Sequence, residues 1–143
     1  MTREQIEQWL AYHDITKYTI HENLVVDVAG DVILYNNQLT ELPFQFGTVT
    51  GSFYLHSNFL TSLQHCPTTV MEDFVCSDNF LTSLQYAPTT IGKTFICHNN
   101  PFIVTEENEE SWLQAIKNDQ EVYWYIKKPT ELLTTFYKVL YAV

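Results

Sequence analysis

Any chemistry in this chain would have to come from a few side chains spread through its middle: His56, Asp73, Ser77 and His98. A histidine, a serine and a carboxylate are the residue types of nucleophilic acyl transfer. Such a site, however, is defined by mutual geometry, and these residue types are common everywhere. Histidine is also a frequent metal ligand, but His56 and His98 are 42 positions apart with no ligand motif around them. The sequence contains no phosphate-binding glycine loop, no paired-cysteine zinc spacing, no G-x-S-x-G and no H-E-x-x-H. The three cysteines, Cys66, Cys76 and Cys97, are an odd number, which argues against a disulfide framework and for a reducing cytoplasm. The expectation from these residues is a protein without catalytic residues, bound metal or cofactor.

The elements that would position these side chains are set by a 21-residue repeat. Asn37, Asn58, Asn79 and Asn100 stand 21 residues apart, and the residues around them recur. Val32-x-Leu34-x-x-Asn37-x-Leu39-x-x-Leu42 is followed by Phe53-x-Leu55-x-x-Asn58-x-Leu60-x-x-Leu63. Phe74-x-Cys76-x-x-Asn79-x-Leu81-x-x-Leu84 and a truncated Phe95-x-Cys97-x-x-Asn100-x-Phe102 complete the series. The spacing of two between Phe53 and Leu55 puts both on one face of a strand. Stacked units would then form core columns: Val32/Phe53/Phe74/Phe95, Leu34/Leu55/Cys76/Cys97, Leu39/Leu60/Leu81/Phe102, Leu42/Leu63/Leu84 and Val28/Val49/Val70/Ile91. By phase, Cys76 and Cys97 are core residues and Cys66 lies in a return loop. Each unit supplies one strand and a return path, which Pro67 and Pro88 stiffen against helix formation. A single unit cannot bury its apolar face, so about three must stack. The four asparagines are structural: their amides are placed to bond the backbone of their own turn and of the next unit.

Both ends read as caps. Thr2-x-x-Gln5 is a capping box, and Ile6, Trp9, Leu10 and His13 follow at helical spacing, so the pattern predicts a helix over residues 2–13. Tyr18, Ile20, Leu24, Val26 and Val28 alternate and predict a hairpin that turns at His21-Glu22-Asn23. At the other end, acidic residues lead into Trp112, Leu113 and Ile116. Residues 121–127 fit either a short helix or a strand, and Leu132, Leu133, Phe136, Tyr137 and Leu140 form one helical face. The domain reading is an N-terminal helix and β cap over 1–27, repeats over 28–104, and a helical aromatic C-terminal cap over 105–143. The fold class is an α+β repeat solenoid, a short stack of parallel strands with helical N-terminal and C-terminal caps.

The repeat frame L-x-L-x-x-N-x-L resembles that of leucine-rich-repeat proteins over residues 28–102. More narrowly, the tandem Asn-Phe-Leu-Thr-Ser-Leu units, Leu24-Val25-Val26-Asp27-Val28-Ala29-Gly30-Asp31-Val32 and Leu42-Pro43-Phe44-Gln45-Phe46-Gly47 look like short repeat proteins of tailed bacteriophages and bacteria. Cysteine at Cys76 and Cys97 and Pro101-Phe102 in the last frame depart from the pattern. The resemblance implies a leucine-rich-repeat stack and a phage-type source, with a cytoplasmic location in the bacterial host; it implies no particular activity.

In such a stack the residues between the core columns face outward onto a concave sheet. Ile33, Tyr35, Tyr54, His56, Asp73, Val75, Ile96 and His98 would form a protein-binding strip. With strands about 4.8 Å apart, His56 and His98 would stand about 10 Å apart, too far to share a metal without other ligands. The net charge of −10, from 17 acidic and 7 basic residues, disfavours direct nucleic-acid binding and favours a partner with a basic surface. No apolar run is long enough for a transmembrane helix. The first functional reading is therefore a non-enzymatic protein-binding module, a phage-type effector that inhibits or redirects a host protein. The second is an acidic mimic of nucleic acid that blocks a DNA-binding or defence enzyme, and the third is a structural protein that self-associates.

Overall fold

The computed structural model describes residues 1–101 and 121–123. The chain starts with α1 (Arg3–Tyr12), then β1 (Tyr18–Ile20), β2 (Val26–Val28), β3 (Val32–Ile33), β4 (Phe46–Val49) and β5 (Phe53–Tyr54). It continues with β6 (Thr69–Val70), β7 (Phe74–Val75), β8 (Thr90–Ile91), β9 (Thr94–Ile96) and β10 (Glu121–Tyr123). The strands form two sheets, in the orders β1-β2-β4-β6-β8 and β10-β9-β7-β5-β3. The result is a parallel β-solenoid of about three turns with one short helix among the described residues.

The repeat period is kept in the hydrogen-bond register. Phe53 pairs with Val32 and Phe74, and Phe74 with Phe95. Val49 pairs with Val28 and Val70, and Val70 with Ile91. The columns read from the sequence thus lie one above another, and Leu34, Leu55, Cys76 and Cys97 are all buried. Phe53 and Phe74 stack with centroids 6.0 Å apart, and Phe95 meets Phe74 edge-on at 5.5 Å. In the turns Leu60 and Leu81 are fully buried, whereas Leu39, with no rung before it, is half-buried.

One expectation is corrected. The return path holds a strand of its own, so each unit contributes to two sheets rather than one. The physical reason lies in the β-branched runs Thr48-Val49, Thr69-Val70 and Thr90-Ile91, which suit a pleated, half-buried surface. Pro67 and Pro88 are buried just before these strands, where a missing N–H costs the ladder nothing.

One short helix, α1, precedes the strands. Thr2 caps α1 and accepts from Gln5 N–H at 3.2 Å, while the Gln5 side chain accepts from Thr2 N–H at 2.8 Å. Ile6 and Leu10 are buried, and Trp9 packs edge-on against Phe44 at 5.1 Å. β1 and β2 form the hairpin, with Tyr18 opposite Val28 and the turn closed by His21 and Val25. β2 also pairs with β4, so the cap shares a strand with the repeats. Of residues 105–143, only β10 is described. It pairs in parallel with β9, Glu121 beside Thr94, and so takes the strand alternative at that point. The helices predicted over 105–143 lie outside the described residues. No described helix is long and apolar enough to cross a membrane.

Candidate functional site

The outer face of the second sheet is held in shape by two ladders that repeat with the turns. The first is built by the asparagines. Asn58 Oδ1 accepts from the N–H groups of Asn37 and Leu39, both at 3.0 Å, and its Nδ2 donates to the Leu34 and Leu55 carbonyls, both at 2.9 Å. Asn79 accepts from Leu60 N–H and donates to Leu55, Cys76 and Ser77; Asn100 accepts from Leu81 N–H and donates to Cys76, Cys97 and His98. Each amide therefore binds its own turn and the preceding one, not the next as the sequence suggested. Asn37, in the first turn, has no preceding turn and donates only to Tyr35 O. The residue before each asparagine, Asn36, Ser57, Asp78 or Asn99, is left-handed with φ between 54° and 57°.

The second ladder runs along the entry to the strands. Asp31 Oδ1 accepts from Ser52 N–H at 2.7 Å, Ser52 Oγ from Asp73 N–H at 3.1 Å, and Asp73 Oδ1 from Thr94 N–H at 3.0 Å. Asp73, placed in the binding strip by the sequence, thus has a carboxylate oxygen engaged in joining turns.

Between these ladders lies the strip itself. Ile33 and Tyr35 are exposed, at 51% and 49%, and Tyr54, His56, Asp73, Ile96 and His98 are half-buried. Val75 differs from the expectation: it is 7% exposed, set in register between Tyr54 and Ile96, and belongs to the wall rather than to the surface. The His56 ring stacks on Tyr35 with centroids 4.8 Å apart and 15° between planes, and meets Tyr54 edge-on at 6.1 Å. His56 Nδ1 is buried without a hydrogen-bond partner. Burial pulls the His56 pKa below its ordinary value; the Asp78 carboxylate opposes this and His98 adds to it. The imidazole is therefore neutral at pH 7, and its stacking on Tyr35 is that of two neutral rings.

Among the described residues no hydrogen bond joins His56 to Ser77 or Asp73, and Ser77 is buried at 3%. No group of three or more metal-binding side chains occurs among the described residues. Cys66, Cys76 and Cys97 are free and buried, and burial pushes all three thiols far above their ordinary range, so they remain protonated.

Two features were not read from the sequence. Phe59 and Phe80, both about half exposed, stack at 6.1 Å with 13° between planes on the corner after the asparagines. Their signal was the repeated Asn-Phe-Leu-Thr-Ser-Leu at 58–63 and 79–84. On the first sheet, His21 Nε2 lies 2.7 Å from Asp27 Oδ2, while Asp27 Oδ1 accepts from Thr48 N–H at 2.8 Å. The Thr48 bond and the His21 partner hold the Asp27 carboxyl below its usual range, against a smaller opposing effect of burial. No protein-family model, curated protein or solved structure matches this chain.

Proposed function

We propose that the chain is a non-enzymatic protein-binding module of the leucine-rich-repeat kind, acting through the outer face of the second sheet. In this reading it is a phage-type effector that works in the cytoplasm of a bacterial host, where it inhibits or redirects a host protein. The observation that carries the proposal is the stacked set Tyr35, His56 and Tyr54 beside exposed Ile33. Aromatic side chains already held by their neighbours lose little rotamer freedom on binding, and rigid aromatics with a polar edge are the usual anchors of protein interfaces. The net charge of −10 supports a partner with a basic surface. The nucleic-acid-mimic alternative draws less support from the repeats, where Asp31, Glu72, Asp73 and Asp78 are all hydrogen-bonded within the solenoid.

The test is capture from a bacterial host lysate on immobilised wild type beside a Tyr35→Ala/Tyr54→Ala double variant. Circular dichroism would establish that both are folded. A protein retained by the wild type and lost by the variant is the expected result. A protein retained equally by both moves the site off this face, and no captured protein at all removes the reading.

A further inference from the structure

The two sheets end differently at the N-terminal end of the stack. The first is continued by the antiparallel strand β1, and the core beneath is closed by α1 through Ile6 and Leu10. Among the described residues the second stops at β3, which pairs only with β5. Val32, Leu34 and Asn36 donate their N–H groups to Ser52, Tyr54 and His56 of the next turn. By the alternation of a parallel ladder, the N–H and C=O of Ile33 point the other way, out of the stack. Ile33 and Tyr35 are both about half exposed, and no described strand covers this edge.

Proteins usually protect such an edge with lysine, proline, a bulge or a shortened strand. The segment Asp31-Val32-Ile33-Leu34-Tyr35 contains no lysine or proline, and although β3 itself is two residues long, like β5 and β7, its hydrogen bonds to the next turn run from Val32 to Asn36. Asn37 adds a second, independent sign. Asn58 Oδ1 binds two N–H groups of the turn before it, whereas among the described residues Asn37 Oδ1 accepts none. The first rung therefore displays both a strand edge and an unused amide acceptor.

We infer that β3 is a dimerisation edge and that its occupant is β3 of a second copy, antiparallel about a twofold axis through Ile33. The choice of a second copy follows from self-complementarity, as a twofold interface requires. With Ile33 opposite Ile33 of the other copy, the two residues exchange both backbone hydrogen bonds and their apolar side chains meet. The same register sets Tyr35 opposite Asp31 of the other copy, on both sides of the axis. A phenol then faces a carboxylate that still has an oxygen to offer, since only Asp31 Oδ1 is taken by Ser52. The two second sheets become one sheet continuous through the twofold, and the outer faces of both copies lie side by side. This proposal shares Ile33 and Tyr35 with the partner-binding reading but is carried by the backbone edge, and the self-association of the chain alone tests it whether or not a host protein binds.

The experiment is sedimentation equilibrium of the full chain over a concentration series at low and high salt, with wild type, Ile33→Pro and Ile33→Lys. Wild type should rise from 16.7 kDa toward twice that mass. Because each copy carries −10, association should strengthen as salt screens their repulsion, the opposite of a complex with a basic protein. Ile33→Pro removes the outward N–H and no bond to β5, so it should stay folded and monomeric; Ile33→Lys should do the same by setting two like charges face to face. An Ile33→Cys variant should form an interchain disulfide under mild oxidation, faster than an Asn23→Cys control, because directly opposed Cα atoms about 5.5 Å apart allow that bond. A concentration-independent monomer overturns the proposal. So does a dimer unchanged in folded Ile33→Pro, or an Ile33→Cys disulfide no faster than the control.

Discussion

At the scale of single residues, the asparagine column shows how one residue type has different worth at different heights of the stack. Asn79 is 5% exposed, and its loss would strand the buried N–H of Leu60 and take one of two donors from the carbonyls of Leu55, Cys76 and Ser77. An unsatisfied buried N–H costs about 1–3 kcal/mol and a lost hydrogen bond about 1, so Asn79→Ala should lower the unfolding free energy by about 2 kcal/mol or more. Asn37→Ala, at an exposed site with one hydrogen bond, should cost under about 1 kcal/mol. Urea denaturation of both variants checks the contrast, and equal costs would contradict the role assigned to the column. His56 yields a pH dependence. Its folded pKa lies below the unfolded value of about 6.5, so on acidification the unfolded chain takes up the proton first. The stability it contributes is complete above that value and falls as pH drops through it. His13, also lowered mainly by burial against the opposing Asp14, acts in the same sense. His56→Phe keeps a ring against Tyr35 but cannot titrate. The melting temperature of this variant should fall less than that of wild type between pH 7.5 and about 5. Parallel declines would show that His56 is not a source of the acid sensitivity.

At the scale of elements, most of the second sheet could be read from the sequence and much of the first could not. The frame around Phe53, Leu55 and Asn58 repeats without insertion, so periodicity alone gave its columns and the outward set Ile33, Tyr35, Tyr54, His56, Ile96 and His98. The strands β6 and β8 are two residues long, too short for any alternation to show. Their existence depends on the neighbours they bond, which no single unit reveals. Val75 was misplaced for a related reason: its strand parity is right, but its exposure depends on the residues beside it in the rungs before and after. The turns ahead of β6 and β8 were also invisible to composition. Cys66 N–H bonds Leu63 O and Ala87 N–H bonds Leu84 O, and the third residue of each turn, His65 or Tyr86, is left-handed with φ 75° or 71°. Such a position favours glycine, yet tyrosine and histidine occupy it. His65 is compensated by a 2.8 Å contact of its Nδ1 with Leu42 O; Tyr86 is exposed at 53%. Tyr86→Gly should therefore raise stability by about 0.5–1 kcal/mol, the relieved strain exceeding the entropy that glycine adds to the unfolded chain. His65→Gly should gain less or lose. Thermal melts of the pair decide this, and a destabilised Tyr86→Gly would mean that the tyrosine packs in a way its exposure does not suggest.

At the scale of the whole molecule, the solenoid is a sum of turns and of the interfaces between them, and the register makes that sum divisible. Thr48, Thr69 and Thr90 pair in series in one sheet while Phe53, Phe74 and Phe95 pair in series in the other, both at 21 residues. The asparagine and Asp31-Ser52-Asp73 ladders keep the same step. Excising residues 59–79 joins Asn58 to Phe80 and recreates the Asn-Phe-Leu-Thr-Ser-Leu corner without a new sequence at the joint. Every rung that remains then meets a neighbour chemically equivalent to the one it lost: Phe53 meets Phe95, Val49 meets Ile91, and Asn100, still accepting from Leu81 N–H, takes the place of Asn79 at the Leu55 carbonyl. The shortened chain should fold cooperatively to a β-rich structure, with a lower unfolding free energy and a smaller denaturant slope because less surface is buried. Removing residue 80 as well shifts every later column by one position. Residues that faced the core would then face water, and that chain should not fold. Circular dichroism and urea titration of the two deletions separate the cases. If both failed alike, the turns would not be interchangeable units, and stability would instead depend on a contact particular to one rung. If both folded alike, the 21-residue register would not be what aligns the core.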